Sequence, residues 1–180
     1  MKVNNRGNSV HRLTGAGLAL ALALVLPFLT GQIPEVGSML CPMHLPVLLC
    51  GFVCGGPWGL AVGAIAPILR SLLFSRPPMF SAIPMAFELA AYGAVAGFLY
   101  RKMPKTKGSI YATLIAAMVI GRLVWGAAQV CMMGMQGSVF TFQAFLAGAI
   151  TNAIPGIILQ IILLPVLVMA LQKAKLMFND

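Results

Sequence analysis

"AIPMAFELAAYGAVAGFLYRK", residues 82–102, is a run of apolar and small side chains broken by a single carboxylate, Glu88, and closed by two cations, Arg101 and Lys102. Its length suits a helix crossing about 30 Å of hydrocarbon, which takes roughly 20 apolar residues. A carboxylate placed there costs at least about 2.5 kcal/mol, so it calls for a partner or a function. Glu88 therefore decides two questions at once: what kind of chain this is, and where its chemistry sits.

The rest of the chain repeats the pattern. Of 180 residues, 60% are hydrophobic and only 8% charged, against about a quarter charged in an ordinary soluble domain. The reading is an all-α integral membrane protein with six transmembrane helices. The spans are Leu13–Thr30, Met39–Gly55, Trp58–Phe74, Ala82–Tyr100, Ser109–Met133 and about Gly148–Leu171. Together they form one domain over 1–180, with tails at 1–12 and 173–180 around a bundle at 13–172. The segments between spans, "GQIPEVGS", "GGPWG", "SRPPMFS", "RKMPKTKG" and "GMQGS", carry the Gly, Pro and polar residues of loops. "VFTFQAFLAGA", Val139–Ala149, is expected to be an outer extension or interfacial segment feeding the last helix.

The net charge of +9 is a matter of orientation. Lys2, Arg6 and Arg12 precede the first span; Arg101, Lys102, Lys105 and Lys107 join the fourth and fifth; Lys173 and Lys175 follow the sixth. With six spans, these nine of twelve Lys and Arg lie on one side, which the positive-inside rule makes cytoplasmic, along with both termini. A nucleic-acid partner would instead want a basic face on a soluble fold. The basic tail and first apolar run resemble a signal peptide only superficially: the run is too long and no A-x-A-like site follows, so it is expected to remain as a span.

No metal site is expected, because His11 and His44 lack clustered partners in the sequence. Cys50 and Cys54 are four apart on one helix, a poor disulfide geometry. Cys41 and Cys131 both fall near the outer face. All four read most simply as small apolar residues.

Depth brings the polar residues together. At 1.5 Å per residue, Glu88 lies roughly 10 Å below the outer boundary, and Arg122 roughly 20 Å above the inner one, at a similar level. They are expected to pair, as a structural tie, a ligand contact or both. Arg122, Trp125 and Gln129 share one helical face, as do Met85, Glu88 and Tyr92. Thr151 and Asn152 begin the last span from the outer side, Arg70 lies in the outer third of the third, and His44 opens the second. The candidate ligand contacts are therefore Glu88, Arg122, Trp125, Gln129, Asn152, Tyr92, Arg70 and His44, around a pocket open to the outside. Each has a plainer alternative: Arg70 as a snorkelling cation, Trp125 and Tyr92 as packing, His44 as a cap, Asn152 as interhelical glue.

"LTGAGLALALALVLPFL" in the first span has Gly15, Ala19 and Ala23 on one stripe and Gly17 and Ala21 on the next. Small residues four apart admit another helix closely, either inside the bundle or from a partner.

These features, with "MHLPVLLCGFVCGGPWGLAVGAIAPILRSLLF", resemble the substrate-binding S components of energy-coupling factor (ECF) transporters over nearly the whole chain. The resemblance implies a bacterial plasma-membrane subunit, not an enzyme, that captures a vitamin or related micronutrient at its outer face. It implies loops "GQIPEVGSMLCP" and "SRPPMFSA" over the pocket, and docking through Gly15, Ala19 and Ala23 onto a transmembrane T subunit driven by two ATPases. ATP then belongs to those partners: the chain has no GxxxxGK[ST] loop and no cofactor of its own is expected. A carboxylate ligand would suit the arginines, and a stacked amino-heterocycle would suit Glu88 with Trp125 and Tyr92. A membrane enzyme would need a GxSxG or HExxH constellation, which is missing. A small ion-coupled secondary transporter using Glu88 is the rival reading, and it would favour inverted repeats, which the sequence does not display.

Overall fold

The computed structural model describes residues 5–29, 42–139, 141–149 and 153–178. Its helices are α1 (Asn5–Leu29), α2 (His44–Cys54), α3 (Gly56–Phe74), α4 (Met79–Lys102), α5 (Lys107–Met135), α6 (Phe142–Ala149) and α7 (Ile154–Lys173), with no strand among the described residues. Five of them, all but α2 and α6, are long and apolar enough to cross a membrane. α2 has 11 residues, only about 16 Å at 1.5 Å per residue. Residues 39–41 of the expected second span and the loop before them lie outside the described residues.

Local chemistry sets the breaks. Gly55, at φ 101, separates α2 from α3, a backbone that side-chain-bearing residues rarely adopt. Pro78 leads into α4 in an extended conformation. The Thr106 hydroxyl caps α5 by accepting the Ser109 backbone N–H at 3.3 Å.

Contacts at one end of the bundle fix the direction of each helix. Gln172 near the end of α7 donates a hydrogen bond to the Tyr100 hydroxyl near the end of α4. The Phe178 backbone N–H donates to the Val53 carbonyl at the end of α2, at 2.9 Å. The Phe178 ring also stands 5.6 Å from His11 at the start of α1. The starts of α1 and α5 and the ends of α2, α4 and α7 thus share one end, where Arg12, Arg101, Lys102, Lys105, Lys107 and Lys173 also gather. The Lys105 ammonium sits 4.0 Å from the Tyr100 ring centroid there. This is the basic end; the helices alternate in direction about it.

α3 and α4 cross with almost nothing between them. A Cβ on Gly93 would stand 2.2 Å from the Gly59 carbonyl oxygen, and one on Gly63 would stand 2.3 Å from the Leu89 carbonyl oxygen. Small residues at helical spacing let the backbones touch, which is how membrane helices associate without a hydrophobic driving force between them.

The central core is built in layers. α4 buries Glu88, Tyr92, Ala96 and Tyr100 at four-residue spacing, and α7 buries Gln160, Leu164 and Val168 likewise. Leu48 and Phe52 of α2 and Ile110, Leu114 and Ala117 of α5 complete the apolar part. A second cluster joins Ala16, Ala19 and Ala23 of α1 to Val47, Cys50 and Cys54 of α2 and to Val62 and Ala66 of α3.

The last span differs from expectation. α7 starts at Ile154 rather than near Gly148, and Phe142–Ala149 forms a separate short helix that lies against α5. Residues 150–152, which connect them, lie outside the described residues.

Candidate binding site

His44, the first residue of α2, reaches the middle of α4. Its Nε2 lies 3.4 Å from Glu88 Oε1. From α5, Arg122 Nη1 approaches the same oxygen at 2.9 Å. The carboxylate is 2% exposed and the arginine 14%, so the pair reaches from the interior to the bundle's edge. Burying the carboxylate is costly, and the guanidinium offsets that cost through a charge-assisted hydrogen bond.

Tyr92, one turn below Glu88, packs edge-on to the His44 ring at 5.2 Å. Its ring fits because α5 has glycine opposite: a Cβ on Gly121 would stand 2.0 Å from a Tyr92 ring carbon. Gly121 precedes Arg122, so one position admits the ring and the next supplies the charge.

On the same face of α5, Trp125 lies 6.2 Å from Phe145 of α6, centroid to centroid. Its ring also covers Gly148, where a Cβ would stand 2.6 Å away. Gln129, one turn further, is half-buried, and its Oε1 has no hydrogen-bond partner. Beside this face a cleft of about 340 Å³ is lined by Leu123, Gly126, Val130, Phe142 and Phe145. It is apolar and does not include Glu88. His44, Glu88 and Tyr92 are themselves buried, and the loop expected over the pocket at residues 31–41 lies outside the described residues.

Glu88, Arg122, His44 and Tyr92 are therefore brought together, with Trp125 and Gln129 along α5 from them. Arg70 is not. It is buried against α1, where it donates to the Leu24 carbonyl and stacks 4.9 Å from Phe28 and 5.4 Å from Phe74. Asn152 lies outside the described residues. Gln160, a buried amide on α7, was not singled out in the sequence; a lone polar residue in "PGIILQIILLP" was the available signal.

The candidate docking stripe also turns the other way. Ala23 is 0% exposed, and Ala19 is buried with it. A Cβ on Gly15 would stand 2.8 Å from the Cys54 sulfur. Gly15, Ala19 and Ala23 thus pack inside the chain. The adjacent stripe faces outward: a Cβ on Gly17 would meet nothing within 4 Å, and Ala21 is exposed. Cys50 and Cys54 are buried, as small apolar residues are. Among the described residues, no three His, Cys, Asp or Glu side chains come together as metal ligands.

Five long apolar helices around a buried polar cluster make this a multi-pass membrane protein. The chain belongs to the family of ECF transporter substrate-specific components, whose model matches residues 11–168. It is a plasma-membrane transport component and not an enzyme. It is 28% identical over 146 residues, covering 76% of this chain and 73% of the relative, to the thiamine transporter ThiT of Bacillus subtilis (strain 168). No solved structure matches the chain.

Proposed function

We propose that this chain is the capture subunit of an ECF importer, binding one vitamin-type micronutrient at Glu88, His44, Arg122 and Tyr92. Trp125 and Gln129 extend the site along α5, and Asn152, outside the described residues, is kept as a further candidate ligand contact. The carrying observation is the ion pair: a 2%-exposed carboxylate held by two basic side chains from two other helices. Such an arrangement inside a membrane is expensive as mere structure, and it is suited to recognising a polar ligand. Arg70, engaged with α1, is left to packing.

In this reading six spans cross the membrane with both termini cytoplasmic, because the basic end carries the charges that stay inside. The cluster then lies in the outer half. The chain hands its ligand on together with a T subunit and two ATPases, which bind the ATP. Docking runs through the outward Gly17–Ala21 stripe of α1, since Gly15, Ala19 and Ala23 are occupied internally. Thiamine is the first ligand to try, because a relative is named for it.

The test is mass spectrometry of small molecules released from the purified protein, followed by calorimetry with the molecule found and with thiamine. Arg122→Ala is expected to weaken binding at least about tenfold, the worth of a buried hydrogen bond to a charged group. A protein that binds no micronutrient, or transports one without any partner, overturns the reading; the latter outcome would favour ion coupling through Glu88.

A further inference from the structure

Gln160 is 1% exposed, and its Oε1 has no hydrogen-bond partner. An unsatisfied buried amide costs about 1–3 kcal/mol. Its neighbours along the helix, Ile157, Ile161 and Leu164, would accommodate leucine without that cost. The amide is therefore unexplained by packing.

Its level in the bundle can be counted. The Gln172–Tyr100 hydrogen bond ties α7 to α4 at the basic end, and both helices run toward that end. Gln160 lies twelve residues before Gln172, and Glu88 lies twelve before Tyr100. At 1.5 Å per residue, both stand about 18 Å from the tie.

The layer beneath agrees. Leu48, Tyr92 and Leu164 belong to one apolar cluster. His44, Glu88 and Gln160 each precede one of these by a single turn. The three polar groups therefore flank the same apolar cluster, one turn before it on α2, α4 and α7. His44 Nδ1, like Gln160 Oε1, is buried without a hydrogen-bond partner.

Resting on the capture reading above, we propose that Gln160 is a ligand-contacting residue, which with His44 reads an uncharged heterocycle edge carrying both hydrogen-bond donor and acceptor atoms. The charge balance selects the class. Glu88 and Arg122 already neutralise one another, and an anionic head would have to take Arg122 from Glu88, leaving a buried carboxylate beside a second anion. A neutral edge bonds to the amide and the imidazole and leaves the ion pair intact. The amide, with one acceptor oxygen and a donor NH2, suits such an edge.

The experiment uses the full chain in detergent, as wild type, Gln160→Leu and Gln160→Met. Each is scored for thermal stability and binding with thiamine, pyridoxine, nicotinamide and riboflavin, and with the anions nicotinate and pantothenate. Small molecules released on denaturation are identified in parallel. Without added ligand, both variants are expected to melt at or above the wild-type temperature. The wild type is expected to respond to a neutral-edged probe, and both variants to lose at least about tenfold in affinity for it. Equal affinity in wild type and a folded variant removes Gln160 from the site while leaving capture standing. A wild type stabilised only by the anions overturns the ligand class. A wild type that responds to no probe and releases nothing loses the capture reading, and this inference with it.

Discussion

Glu88 and Arg122 meet at 2.9 Å, but they meet unequally: the carboxylate is nearly sealed, and the guanidinium reaches the edge of the bundle. Removing one partner therefore differs from removing the other. Arg122→Met strands a buried anion and is expected to cost about 3–5 kcal/mol in unfolding. Glu88→Gln leaves a cation able to reach polar surroundings and is expected to cost less. The double variant is expected to recover part of the loss of Arg122→Met. Unfolding of the three proteins in detergent tests this, and an equal or larger loss for Glu88→Gln would contradict it.

The α3–α4 crossing makes its own demand. Gly93→Leu places a side chain where the Gly59 carbonyl stands and is expected to abolish folded protein, as judged by gel filtration. Gly17→Leu, with nothing within 4 Å of its Cβ, is expected to behave as wild type in the same assay. Well-folded Gly93→Leu would show that the backbones do not touch as described.

On α1, the two small-residue stripes separate by assay. Ala21→Trp and Gly17→Trp are expected to fold and bind ligand normally while losing ATP-dependent uptake in cells that also express the T subunit and ATPases. Ala23→Trp, at a fully buried position, is expected to lose folded protein. Full uptake by both outward variants would move docking to another face.

Orientation is tested by single cysteines in a cysteine-free background. Lys105→Cys is expected to react only after cells are opened, and Arg76→Cys to react from outside intact cells. Labelling of Lys105→Cys from outside would invert the topology.

The pairing of Glu88 with Arg122 was legible because depth along two antiparallel helices is simple arithmetic. That His44 joins them was visible only as a polar residue opening a helix on the right side. The inward stripe of α1 was not legible, since Gly15–Ala19–Ala23 and Gly17–Ala21 have the same spacing and only their neighbours distinguish them. Arg70 had the right depth but the wrong bearing, because its azimuth depends on how α3 rotates against α1. Gln160 was overlooked because a lone amide among isoleucines and leucines looks like ordinary interhelical glue. Its register, set by a hydrogen bond three turns away, gives it a different meaning.

The bare contact between Gly59 and Gly93 also divides the site into a fixed and an adjustable half. With no side chains as a cushion, α4 cannot roll or slide without carrying α3, so the two behave as a single strut and hold the Glu88 carboxylate as a stationary reference point. α2, which carries His44, is tied to the same crossing by Gly51, where a Cβ would stand 2.5 Å from the Gly93 carbonyl oxygen. Gly121 of α5, by contrast, faces the Tyr92 ring, so Arg122 comes from a helix packed through side chains, which have rotamers to spend. Adjustment to a guest therefore falls to Arg122, which travels to the anion.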